Sequence, residues 1–88
     1  MNPRISEFFG IEIFLYWNDH NPPHFHVKYA DHNAYVSIHD PHIIEWSLPK
    51  KIEKLVLAWA DLYHEALLED WELVQLLKTP KRIDPLTR

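Results

Sequence analysis

The sequence predicts an α+β fold: a four-stranded antiparallel β-meander, then one long or two consecutive C-terminal helices packed on one face. Three observations carry this expectation. Short β-forming runs alternate with turn-rich spacers through the first half of the chain. After Pro49 the apolar spacing changes from two residues to three and four. The single glycine leaves turn-making to Pro, Asn and Asp, which cluster between the runs.

The strands are expected at Ile11–Trp17, His24–Tyr29, Ala34–His39 and Ile43–Ser47, each rich in β-branched or aromatic residues. Asn18 to Pro23, Asp31-His32-Asn33 and Asp40-Pro41 lie between them as turns. Alternation suggests a register in which Glu12 faces Lys28 and Phe14 faces His26, with Tyr16 opposite His24. In the next hairpin Lys28 lies by Tyr35, His26 by Ser37 and His24 by His39. Opposite charges across a strand pair, as at Glu12 and Lys28, stabilise by roughly 0.2–1 kcal/mol. The other face carries Ile11, Ile13, Leu15, Phe25, Val27, Tyr29, Ala34, Val36 and Ile38, and so is the core face.

Pro49 suits a first helical turn, where a missing N–H costs nothing. Ile52, Leu55, Val56, Trp59, Leu62, Tyr63, Ala66, Leu67, Trp71 and Val74 then fall on one helical stripe. One helix over 50–77 would run about 40 Å, longer than a four-stranded sheet is wide. A bend between His64 and Asp70, or an overhang onto a second subunit, is therefore expected. Leu57, Leu68, Leu73 and Leu76 lie off the stripe and would be the residues such a contact covers. A single domain over 1–88 is expected, its ordered core at about 5–77 and a basic tail at 78–88.

Composition narrows the function. With 88 residues and no cysteine there is one core, no disulfide framework and no thiolate metal site. The net charge of −4 disfavours sequence-independent nucleic-acid binding, which needs a surplus of Lys and Arg. No apolar run approaches the roughly 20 residues of a membrane span, and no export signal is visible, so a cytoplasmic protein is expected. No phosphate-binding loop, zinc-protease motif or dinucleotide fingerprint is present.

The stretch Asp19-His20-Asn21-Pro22-Pro23-His24-Phe25-His26 holds the chemistry. Residues two apart on a strand share a face, so His24 and His26 project together away from the core, toward solvent. His20 lies at the hairpin mouth, and His39 is cross-strand to His24 in the register above. Imidazoles so placed are ligands for a divalent metal such as zinc or nickel, with Asp19 as a fourth ligand or as an orienting partner. The metal set is then His20, His24, His26 and His39. Equally open are an imidazole acid–base surface, with His24, His26 and His64 as catalytic candidates, and structural histidines packed on Phe14, Tyr16 and the helix. Asp19, His20, His24, His26, Lys28 and Tyr16 form the expected binding face. His64 lies at the polar border of the helical stripe, from which it could complete the cluster.

Phe9-Gly10-Ile11, the run from Asn18 to His26, Leu48-Pro49, Trp59, His64, Leu67 and Trp71 together resemble the small bacterial proteins grouped as domain of unknown function 4160. The resemblance spans about Ile5 to Trp71. It implies a stand-alone bacterial protein that pairs with a second small protein in a two-gene, toxin–antitoxin-like or regulatory module. It supplies no catalytic residues, but His20, His24, His26 and His64 match its pattern. This sequence departs from it where Asp31-His32-Asn33 and Asp40-Pro41 replace turn glycines. The leading expectation is a protein acting through such a partner, or through a homo-oligomer, with the histidine hairpin as working surface. The alternative is a histidine-based, ribonuclease-like enzyme or a divalent-metal binder using the same residues.

Overall fold

The computed structural model describes residues 3–87. It is α+β, with five strands in sequential order: β1 Arg4–Phe8, β2 Ile11–Phe14, β3 His24–Tyr29, β4 His32–Ser37 and β5 Ile43–Trp46. Two helices follow, α1 Lys50–Leu62 and α2 His64–Gln75. All neighbouring strands are antiparallel.

The meander therefore has one strand more than expected. β1 pairs with β2 through Phe9 and Gly10, both at positive φ (51° and 78°), the backbone of a two-residue hairpin. A register shift between Arg4 and Ser6 buries Ile5 and Ser6 alike. That bulge erases the alternation by which a strand is read.

Between β2 and β3 the expected register holds, with Glu12 opposite Lys28 and Phe14 opposite His26. The expected ion pair does not form, because the Glu12 carboxylate accepts from Arg4 Nη1 at 2.9 Å. In the next hairpin the register is two residues tighter than expected. His24 lies opposite Ser37 and His26 opposite Tyr35. His32 and Asn33 belong to β4 rather than to the turn, which consists of Ala30 and Asp31 with Ala30 at φ 52°. A two-residue slip preserves which side chains share a face, so the core assignment survives it.

Every expected core-face residue from Ile11 to Ile38 is buried, apart from a half-buried Tyr29. Ile52, Val56, Trp59, Ala60, Leu67, Trp71 and Val74 complete the core from the helices. The helices are nearly continuous: Tyr63 N–H donates to Trp59, and Leu67 N–H to Tyr63, across a break at Tyr63 (φ −108°, ψ 29°). Leu62, expected on the buried stripe, is exposed there.

Residues 78–87 do not form a loose tail. Ile83 is buried and its N–H donates to the Ile5 carbonyl at 2.7 Å, covering the outer edge of β1. The Asp84 carbonyl accepts from the Trp59 indole at 2.9 Å, and the Lys78 carbonyl accepts from Trp17 at 3.1 Å.

Asp70 anchors this segment by accepting the Lys81 N–H at 2.9 Å. Its carboxyl is buried, Oδ2 has no partner among the described residues, and desolvation raises its pKa to about 6. The folded protein thus holds this proton up to about pH 6, whereas the unfolded chain releases it near 4. Stability from this group is complete below that lower value and is lost as pH rises through the upper one. Asp70→Asn keeps the acceptor and removes the buried charge. It is expected to stabilise the fold by about 1–2 kcal/mol near pH 7.5 and by nothing near pH 4, read from urea unfolding at the two pH values.

Candidate metal centre

His24 and His26 open β3 and point to the face opposite the core, as alternation requires. They do not meet solvent, however: their exposures are 9 % and 6 %. The connection from Leu15 to Pro23 folds over this face and buries them. Its Tyr16 ring stacks on His26 with centroids 3.8 Å apart and planes 24° apart. Trp71 of α2 reaches His24 at 5.4 Å, and Tyr35 of β4 stands edge-on to His26 at 4.4 Å. The covering loop is fixed from outside, since Gln75 Nε2 donates to the Asp19 carbonyl at 3.0 Å.

This loop delivers Asp19 to the two imidazoles. Asp19 Oδ2 lies 2.8 Å from His26 Nε2 and 3.4 Å from His24 Nε2. Among the described residues, Asp19, His24 and His26 form a group whose potential ligand atoms all lie within 4.8 Å of one another.

The hydrogen bonds assign the ring protons. His24 Nδ1 is 2.8 Å from the Pro22 carbonyl, which can only accept, so Nδ1 carries the proton. In the neutral ring its Nε2 then carries a lone pair, and it lies 3.4 Å from Asp19 Oδ2, which also only accepts. For His26, burial lowers the pKa more strongly than the Asp19 hydrogen bond raises it. The ring is neutral at physiological pH, and Nε2–H donates to Asp19. Burial, then the charge of Asp19 and the nearby Tyr35, raise the pKa of Tyr16, which stays a phenol. Two acceptors facing each other at 3.4 Å call for a cation between them, either a proton or a metal.

The other expected site residues lie elsewhere. His20 is exposed, and His39 is exposed and no longer opposite His24, because the hairpin register is two residues tighter. His64 is half-buried, with Nδ1 3.7 Å from Glu65 and a buried Nε2 that has no hydrogen-bond partner among the described residues. None of the three belongs to the Asp19 group. Lys28 leans over the Phe14 ring at 5.4 Å. Of the off-stripe leucines, Leu57 and Leu68 pack against the core and Leu73 is half-buried, leaving Leu76 exposed beside Leu77. No described helix is long and apolar enough to cross a membrane.

Tyr35 was not expected beside the histidines, whereas packing on the helix was one of the open readings and Trp71 is the residue that makes it. A two-residue turn at Ala30-Asp31 would have placed Tyr35 opposite His26, but nothing in the sequence places Trp71 there.

The family described as a domain of unknown function (DUF4160) matches residues 10–72, well over half of the chain. No curated protein and no solved structure matches it.

Proposed function

The chain belongs to the DUF4160 family, and from that footing we propose that it binds a divalent metal through Asp19, His24 and His26. The observation that carries this reading is the convergence of three ligand atoms: Asp19 Oδ2 lies 2.8 Å from His26 Nε2 and 3.4 Å from His24 Nε2, with the far nitrogen of His24 held by the Pro22 carbonyl. A backbone carbonyl on the distal nitrogen is the usual way a ligating imidazole is oriented. A packing role for Asp19 accounts for its hydrogen bond to His26, and the contact with His24 is then closed by a proton, where a metal would close both contacts at once.

The geometry suits zinc. A tetrahedral ion with ligands at about 2.0–2.1 Å has ligand atoms roughly 3.3 Å apart. The 3.4 Å separation matches, and the 2.8 Å one must open by about half an ångström as His26 moves its proton to Nδ1. Two imidazoles and one carboxylate leave a position for water or an anionic group, the pattern of zinc sites that do chemistry rather than only hold a fold.

Calorimetric titration with zinc chloride near neutral pH tests the proposal. One ion per chain with a micromolar dissociation constant is expected, and Asp19→Ala, His24→Ala and His26→Ala should each weaken it by more than about tenfold. Zinc heats unchanged in the His24→Ala plus His26→Ala double variant would refute it.

A further inference from the structure

On the far side of His26 from Asp19 lies a cleft of about 290 Å³, lined by Tyr16, His26, Asn33, Tyr35 and Trp46. Three features of its walls bear on what it takes.

The first is the placement of Trp46. Its ladder partner is Ala34, a buried core-face residue, so strict alternation would send the indole toward the core. Instead Trp46 has φ 65°, is 59 % exposed, and holds its ring 4.9 Å from Tyr35 on the opposite face. A left-handed backbone at a bulky residue costs of order 1–3 kcal/mol and persists where the surroundings enforce it. Here it turns a large ring outward to wall a cleft.

The second is ring geometry. Tyr35 meets His26 at 76° and Trp46 at 54°. A flat heterocycle needs two parallel faces with a gap between them; Tyr16 and His26 are near-parallel but in contact with each other at 3.8 Å, and the remaining walls are crossed. Crossed rings presenting several π faces to one volume form a cage suited to a compact cation.

The third is charge. Among the described residues that line the cleft there is no Lys or Arg, and the Lys28 ammonium lies over Phe14 on β2. Glu45, the ladder partner of Tyr35, is exposed beside Trp46 in the chain. Asp31 lines the adjoining recess on the other side of Trp46. The chain as a whole carries −4.

We propose that the cleft walled by Tyr16, Tyr35 and Trp46 binds a methylated ammonium group. The group reaches it either as a free quaternary amine or as the side chain of a methylated lysine in a peptide. The ring faces supply the attraction and the Asn33 amide offers a polar contact at the mouth.

The test is an NMR titration of the full chain with tetramethylammonium chloride, in excess chelator so that it reads the cleft whether or not Asp19, His24 and His26 take a metal. Saturable shifts of the Trp46 indole N–H in the millimolar range are expected. The uncharged, water-soluble analogue 2,2-dimethylpropanol should bind about tenfold more weakly. Trp46→Ala should weaken tetramethylammonium about tenfold, with unchanged circular dichroism because the ring is mostly exposed. Choline and a trimethyl-lysine peptide then separate the two sources, the tighter of them naming the one that applies. Equal affinity for the charged and uncharged probes, or no shift of Trp46 up to about 100 mM, overturns the proposal.

Discussion

Trp59→Ala is expected to leave a chain that is largely unfolded at about 37 °C. The indole is fully buried between Phe8 at 5.6 Å, Phe25 at 5.7 Å and Tyr63 at 5.9 Å. It thereby joins β1, β3 and the helix break around one ring. Its N–H also donates to the Asp84 carbonyl, which holds the C-terminal segment against β1. Truncating a buried tryptophan costs about 3–5 kcal/mol, and the orphaned carbonyl adds roughly 1. A domain of this size has on the order of 4–13 kcal/mol in all. The melting temperature should fall by about 15–30 °C, read by circular dichroism. Trp59→Phe keeps most ring contacts and loses the hydrogen bond, so it should fall by less than half as much. A Trp59→Ala protein that melts within a few degrees of the parent would show that the sheet and helices do not share this one core.

Zinc is expected to raise the melting temperature by about 10–20 °C when free metal exceeds the dissociation constant about a hundredfold. Binding to the folded state alone then adds about 2.7 kcal/mol, and each kcal/mol moves a domain of this size by about 4–8 °C. The dependence on pH follows from the ligands. Imidazoles bind metal only when neutral, and burial already holds the His26 pKa below its ordinary value. Acidification below the ordinary imidazole value, near 6.5, therefore brings protons into competition with the metal, and the zinc effect should fade as pH falls below it. In chelator, protonating the unfolded chain's His26 before the folded one also makes the fold less stable as pH drops below the same value. A zinc effect that survives His24→Ala, or that grows on acidification, would place the metal elsewhere.

Much of the sheet was legible because strand alternation is a property of neighbouring residues. Ile11 through Ile38 place themselves on one face whatever the rest of the chain does, and the period change after Pro49 marks the helices just as locally. The site was legible in part for the same reason: His24 and His26 must share a face, and the Asn–Pro-rich loop before them must return over it or away from it. What failed to read depended on contacts far apart in sequence. β1 was hidden by a bulge that buries Ile5 and Ser6 together. The break at Tyr63 falls at a residue with no helix-breaking chemistry, so packing around Trp59 and Tyr63 decides it. The C-terminal residues looked like a basic tail because their anchors, Asp70, Trp59 and Ile5, lie eleven to seventy-eight residues away.

The sequence by itself determined which side of the sheet is apolar and that two imidazoles lie together on the other side. Only tertiary structure decided that this second side is not wet. Gln75 of α2 and Trp17 against Lys78 hold the covering loop, and the loop brings Asp19 within reach of both rings. Alternation fixes a direction for a side chain. Its depth below the surface, and with it the balance of charge around His26, is set by segments that the chain brings together only on folding.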